Sequence, residues 1–108
     1  MLFRSPQWTR AKGSDTFGCI GPAIVPGFDW RSASVVTRLD GVERQNYPLS
    51  DIVFSPEEQV SRLSRDMTLM PGDVIAVGTS IGVGSMKDGA VVEVSIRGIG
   101  SLVNHMRG

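Results

Sequence analysis

A mostly β chain with one main helix near residues 56–67 is what three stretches of this sequence predict. Asp40-Gly41 lies between Val35-Val36-Thr37-Arg38-Leu39 and Val42-Glu43-Arg44-Gln45. Asp and Gly tolerate the left-handed backbone of a two-residue turn, so the pattern reads as a β-hairpin. Further on, Val92, Val94 and Ile96 alternate with Glu93, Ser95 and Arg97, the period of a strand covered on one face. Between these, Ser55-Pro56-Glu57-Glu58 supplies an N-cap, a proline fit for the first helical position and a capping box. Strands and helices do not alternate as in βαβ units, so a parallel sheet is not expected.

With 108 residues the chain is one domain at most, with room for a modest core. Eleven basic residues balance 11 acidic ones, which argues against bulk electrostatic binding of nucleic acid or an anionic membrane. Cys19 stands alone, so no intrachain disulfide or cysteine-based zinc site is expected. No stretch has the length of a membrane span and the start lacks a signal-peptide core, so the expected location is the cytoplasm. Residues 1–5 share no pattern with the rest of the chain and are read as a non-native start.

The segment from Pro6 to Phe17 has no clean period and reads as loop with at most a helical turn. Lys12 within it has a plain reading as a solvated surface cation. Ile20, Ala23, Ile24 and Val25, broken by Gly21-Pro22, suit a short strand. The hairpin strands carry many polar residues and belong at a surface; Arg44 and Gln45 could touch a ligand or form a solvated face. In the helix, Val60, Leu63 and Met67 make one apolar stripe, and Arg62 and Arg65 favour its C-terminal end. Gly98-Ile99-Gly100 is expected to break or bulge the last strand, with Leu102-Val103 continuing it and His105 in a tail that frays.

The stretch from Pro71 to Gly89 carries the strongest hint of a site. Pro71-Gly72-Asp73 is a turn, and Val74-Ile75-Ala76-Val77 suits a strand covered on both faces. It leads into Gly78-Thr79-Ser80-Ile81-Gly82-Val83-Gly84-Ser85, where glycines permit close backbone approach and hydroxyls are free to bind an anion. Nucleotide motifs fail: Lys87 stands where a dinucleotide fingerprint needs glycine, and Val83-Gly84 where a phosphate loop needs Gly-Lys.

Taken together the landmarks resemble the C-terminal half of the fumarylacetoacetate hydrolase family. They are Arg10-Ala11-Lys12-Gly13 with Asp15-Thr16-Phe17, Gly21-Pro22, and the hairpin from Asp40 to Gln45. Thr68-Leu69 with Pro71-Gly72-Asp73, Gly78-Thr79 with Gly82-Val83-Gly84, and the tail from Gly98 to Asn104 complete the series. The resemblance implies a mixed β-roll or β-sandwich, here an incomplete domain over residues 6–108, and a homodimer in the complete protein. It implies an enzyme that uses Mg²⁺, Mn²⁺ or Ca²⁺ on 2-oxo or 1,3-dicarbonyl acids, by C–C hydrolysis, decarboxylation or enol isomerisation. By position Lys12 matches a catalytic lysine, Thr79 and Gly78 a substrate-binding loop, and Asp15 and Thr16 residues beside the metal or substrate. The Lys12 segment and this loop are then expected to form two walls of one pocket.

Two departures limit what the chain is expected to do. The resemblance places a Glu-x-Glu pair and a further aspartate upstream of Lys12 as metal ligands, yet no residue before Lys12 is acidic. Glu57-Glu58 belongs to a helix start and is not that pair. The lid of hydrolytic members is also missing, and Ser80-Ile81 stands where many members carry a proline. Weak or no metal binding and no activity are therefore expected of this chain alone. The competing readings are a non-catalytic β-rich binding or dimerisation module and a small anion-binding protein using residues 78–85.

Overall fold

Pairing of the hairpin strands organises the molecule. The structure, a computed structural model, describes residues 6–107, so the expectation for residues 1–5 lies outside it. Strands β1 (Ser34–Leu39) and β2 (Val42–Pro48) pair antiparallel across Asp40 and Gly41, which take φ of 51° and 79°, the backbone of a type I′ turn. Asp40 also anchors the next strand. Its N–H donates to the Val91 carbonyl and its Oδ1 accepts from the Val91 N–H, both at 2.8 Å. Strand β3 (Val91–Ile96) thus begins beside the turn and runs antiparallel to β1, and β4 (Gly100–His105) pairs with β3. The sheet order is β2-β1-β3-β4. The β1–β2 register shifts after Thr37: Thr37 faces Gln45 but Arg38 faces Glu43, which leaves Arg44 as the extra residue of a bulge.

Helix α1 (Trp8–Lys12) supplies the helical turn and buries Ala11. Helix α2 (Pro56–Asp66) begins where its cap predicts. The Glu58 N–H donates to Ser55 Oγ at 3.2 Å, whereas the Glu58 carboxylate pairs with Arg62 at 2.8 Å. The cap is made, but the reciprocal arm expected of a capping box is diverted to an i,i+4 ion pair. Within the apolar stripe, Leu63 is half-buried while Val60 and Met67 stay exposed.

Three local expectations are corrected. Of the two outcomes expected at Gly98-Ile99-Gly100 the strand breaks and does not bulge: Gly98 and Gly100 take positive φ, the Ile99 N–H donates to the Ile96 carbonyl at 3.1 Å, and the chain reverses into a hairpin. His105 accordingly closes the sheet opposite Val91 rather than fraying. Residues 74–77, expected as a doubly covered strand, and residues 18–26, expected as a short one, join no ladder. A strand exists only where a neighbouring backbone accepts its hydrogen bonds, and among the described residues these two runs have no such neighbour.

The consequence is a chain that leaves much of its apolar surface uncovered. Its accessible area is 8748 Å², against about 5,800 Å² for a folded monomer of this mass. Its radius of gyration is 14.9 Å, where about 13 Å is usual for this length. Among the described residues the buried apolar ones are Ala11, Ala33, Val35 and Ala90, none of them large. No helix among the described residues is long and apolar enough to cross a membrane.

Candidate functional site

The glycine-rich loop is fixed in place by the edge of the sheet. Upstream, Pro71-Gly72 turns the chain, with the Asp73 N–H donating to the Met70 carbonyl at 3.0 Å and Asp73 Oδ2 accepting from the Met70 N–H at 2.8 Å. Residues 74–77 then carry the chain to β2. There Gln45 Nε2 donates to Thr79 Oγ1 at 2.9 Å, to the Ser80 carbonyl at 2.9 Å and to the Ile81 carbonyl at 3.1 Å. Gly82, at φ 103°, lies so close to the carbonyl of bulged Arg44 that any side chain would overlap it. Glycine is needed there for two reasons: the backbone sign and the approach.

Thr79 is exposed and sits on the rim of a cavity of about 660 Å³. Trp30, Tyr47, Phe54, Leu63 and Val77 give the cavity apolar walls, and Gly78 and Thr79 lie on its loop side. Arg62 on the helix side is already engaged, with Nε and Nη2 on Glu58 and its guanidinium 4.4 Å from the Phe54 ring centre. The cavity thus offers apolar surface beside a hydroxyl, a glycine backbone and the Asp51 carboxylate.

The structure places the Lys12 segment apart from this cavity. None of Lys12, Asp15 and Thr16 lines it. Lys12 is exposed at the end of α1, its Nζ 4.5 Å from the Trp8 ring centre, a cation–π contact of the kind that holds surface ammonium groups. Asp15 and Thr16 form the tip of a turn closed by the Phe17 N–H on the Ser14 carbonyl at 3.1 Å. Thr16 takes φ 69°, a costly backbone for a β-branched residue.

At the start of α2 the Glu57 carboxyl is held below its usual value. Its own backbone N–H is the main cause, followed by the Ser55 hydroxyl, with Arg31 contributing charge from 3.4 Å. This explains the Glu57-Glu58 pair as helix-start chemistry.

The model of the fumarylacetoacetate (FAA) hydrolase C-terminal region matches residues 1–107. The chain belongs to the FAA hydrolase family. An uncharacterised protein of Methanocaldococcus jannaschii is 44% identical over 94% of this chain and 43% of its own length. The crystal structure of 5-carboxymethyl-2-hydroxymuconate delta-isomerase from Mycobacterium smegmatis superposes with a TM-score of 0.90 at 42% identity, over 94% of this chain and 40% of that one. Fumarylpyruvate hydrolase from Pseudomonas aeruginosa, solved with Mn²⁺ and pyruvate, gives a TM-score of 0.68 at 35% identity, over 71% of this chain and 33% of that one. The chain therefore spans about two fifths of the length of the first two.

A hard divalent cation such as the Mn²⁺ of that FAA hydrolase relative takes several oxygen ligands. Among the described residues no three His, Cys, Asp or Glu side chains stand close enough to hold one. The donor set of this chain does not fit the ion by itself. Reading the sequence did not give Gln45 its place, for it had a polar surface or ligand contact as its two readings. The structure makes it the residue that holds the loop. The only advance signal was an amide placed among charged neighbours on a hairpin strand, and the bulge at Arg44 that aims it is invisible in the residue pattern.

Proposed function

We propose that this chain is the carboxyl-terminal part of a divalent-metal-dependent enzyme acting on small 2-oxo or 1,3-dicarbonyl acids, working as a homodimer when complete. The observation that carries the proposal is the docked loop at residues 78–82, which holds an exposed Thr79 hydroxyl and the Gly78 backbone on the rim of an apolar cavity. Thr79 donates a hydrogen bond to a carboxylate or carbonyl oxygen, and Gly78 lets the backbone approach. Lys12, which does not line the cavity in this chain, is assigned by its family position to the oxygen on which negative charge develops, where a preorganised donor counts most. Asp15 and Thr16 are assigned to the neighbourhood of that acid by family position alone, since neither lines the cavity in this chain. The carboxylates that hold the metal come from sequence this chain does not carry, so the chain alone is inactive. Whether the acid is hydrolysed, decarboxylated or isomerised is decided by groups outside it.

The test joins this chain to an N-terminal half bearing the acidic ligands and assays an acylpyruvate and oxaloacetate with Mn²⁺. Turnover is expected in the joined protein and not in the chain alone. Lys12→Met is expected to lower kcat by roughly 10²- to 10³-fold, the loss seen when one oxyanion donor goes, with metal affinity unchanged. Thr79→Val is expected to act mostly through KM, as a contact made in ground and transition states alike. Full kcat in the Lys12 variant, or a stoichiometric low-micromolar metal site in the chain alone, overturns the reading.

A further inference from the structure

An amide nitrogen carries two hydrogens and no lone pair that accepts. The Ser80 and Ile81 carbonyls can only accept, so the atom of Gln45 that faces the loop is Nε2, as its three contacts of 2.9, 2.9 and 3.1 Å require. Two hydrogens serve three acceptors, so one is shared, and Thr79 Oγ1 faces a donor nitrogen on this side. Its own hydrogen cannot point at Gln45 and is left for another group. The loop has little freedom to undo this arrangement, because Gly82 is seated against the carbonyl of Arg44, the extra residue of the β2 bulge. Bulges re-aim the side chains beside them, and here the neighbouring side chain is Gln45.

We infer that Gln45 is a positioning residue that clamps residues 79–82 onto the β2 bulge and turns the Thr79 hydroxyl hydrogen away from β2. The Thr79 hydrogen is then available to an acceptor, a carboxylate or carbonyl oxygen. The clamp follows from the geometry, and the nature of the acceptor rests on the oxo-acid reading above.

The experiment uses the 108-residue chain with ¹³C-methyl threonine. Three-bond couplings report the Thr79 side-chain rotamer, with Thr9, Thr16, Thr37 and Thr68 as references in the same spectrum. One rotamer is expected in the native chain. Rotamer averaging at Thr79 alone is expected in Gln45→Met, which keeps length but loses the donor, and in Gln45→Glu, which turns an acceptor toward two carbonyls. A single Thr79 rotamer retained in Gln45→Met overturns the inference. Should both variants lose the Thr37 signal of folded β1, the native chain decides. Gln45 side-chain hydrogens that exchange roughly tenfold or more slowly than a free amide support the clamp, and free exchange overturns it. Pyruvate is then titrated, with Mg²⁺, into the joined protein that carries the acidic ligands. Its effect on the Thr79 methyl is expected to weaken roughly fivefold to tenfold in Gln45→Met, the scale of one hydrogen bond. A locked Thr79 that ignores pyruvate removes the oxo-acid reading and leaves the clamp. An equal response in native chain and variant removes the clamp and leaves the oxo-acid reading.

Discussion

Strand β1 and residues 74–77 look alike as sequence and differ as structure. Each opens on β-branched apolar residues near a glycine turn, Val35-Val36 in β1 and Val74-Ile75 in the other, although β1 also carries Thr37 and Arg38. In β1 the run lies between two partners, β2 and β3, and Val35 is only 6% exposed. The other run joins no ladder, and Val74 is 69% exposed. Hydrophobicity nominates a strand, and a neighbouring backbone decides it. The hairpin brings β1 its first partner through Asp40-Gly41, and Asp40 then recruits Val91 for the second. Among the described residues nothing does the same for residues 74–77, and Gln45 grips the loop downstream of them.

The largest expected effect comes from placing a charge in each run. Val35→Asp buries an unpaired carboxylate in the middle of the sheet, which costs about 3–5 kcal/mol, enough to abolish the fold of a marginal domain. Val74→Asp sits in solvent and is expected to change stability by less than about 0.5 kcal/mol. Circular dichroism melts of the two variants make the comparison. A Val74 variant as damaging as the Val35 variant would show that the run is covered in solution.

The uncovered run also predicts association. With Ile24, Val53, Val74, Ile81 and Val83 all exposed, the chain is expected to form oligomers or aggregates at high concentration. Val74→Asp combined with Val77→Asp is expected to shift the light-scattering mass toward the monomer. A native chain that stays monomeric and melts sharply contradicts the expectation.

Two loop glycines give a smaller contrast. Gly82→Ala must fit a side chain against the Arg44 carbonyl at a positive φ, a strain of about 1–3 kcal/mol. Gly84 has open space around its missing side chain and no positive φ, so Gly84→Ala is expected to be silent. Hydrogen exchange of residues 78–82 is expected to quicken in the first variant only, with the sheet unchanged. Equal exchange in both would mean that the loop is not seated on β2.

Features encoded by neighbours in sequence were legible in advance: the Asp40-Gly41 turn, the Ser55 cap with Pro56, the alternation of Val92, Val94 and Ile96. Features that depend on distant residues were not. The second hairpin at Gly98-Gly100 looked like an interruption because its partner strands are read only after they pair. The grip of Gln45 depends on a register shift at Arg44 that no local pattern announces. Of the candidate site, Gly78 and Thr79 were legible as a loop, whereas the separation of Lys12, Asp15 and Thr16 from the cavity beside it is a matter of tertiary placement.

The smallest effect concerns acid. The Glu57 carboxyl is held below its usual value in the folded chain, chiefly by its own N–H at the start of α2 and then by the Ser55 hydroxyl and Arg31. An unfolded glutamate titrates near about 4.3. A group whose folded value is depressed stabilises the fold above the unfolded value, and that contribution is lost as pH falls through the folded one. Glu57→Gln keeps an acceptor for the N–H but loses the charge, so it is expected to melt slightly below the native chain at neutral pH. The gap should narrow below about pH 4 and close once the native carboxyl is protonated. Because the side chain is exposed, solvent screens the interaction and the gap is expected to shrink in high salt as well. A difference between the two melting temperatures that is the same at pH 7 and pH 3 would show that the helix-start charge contributes nothing, leaving Ser55 alone as the cap that starts α2.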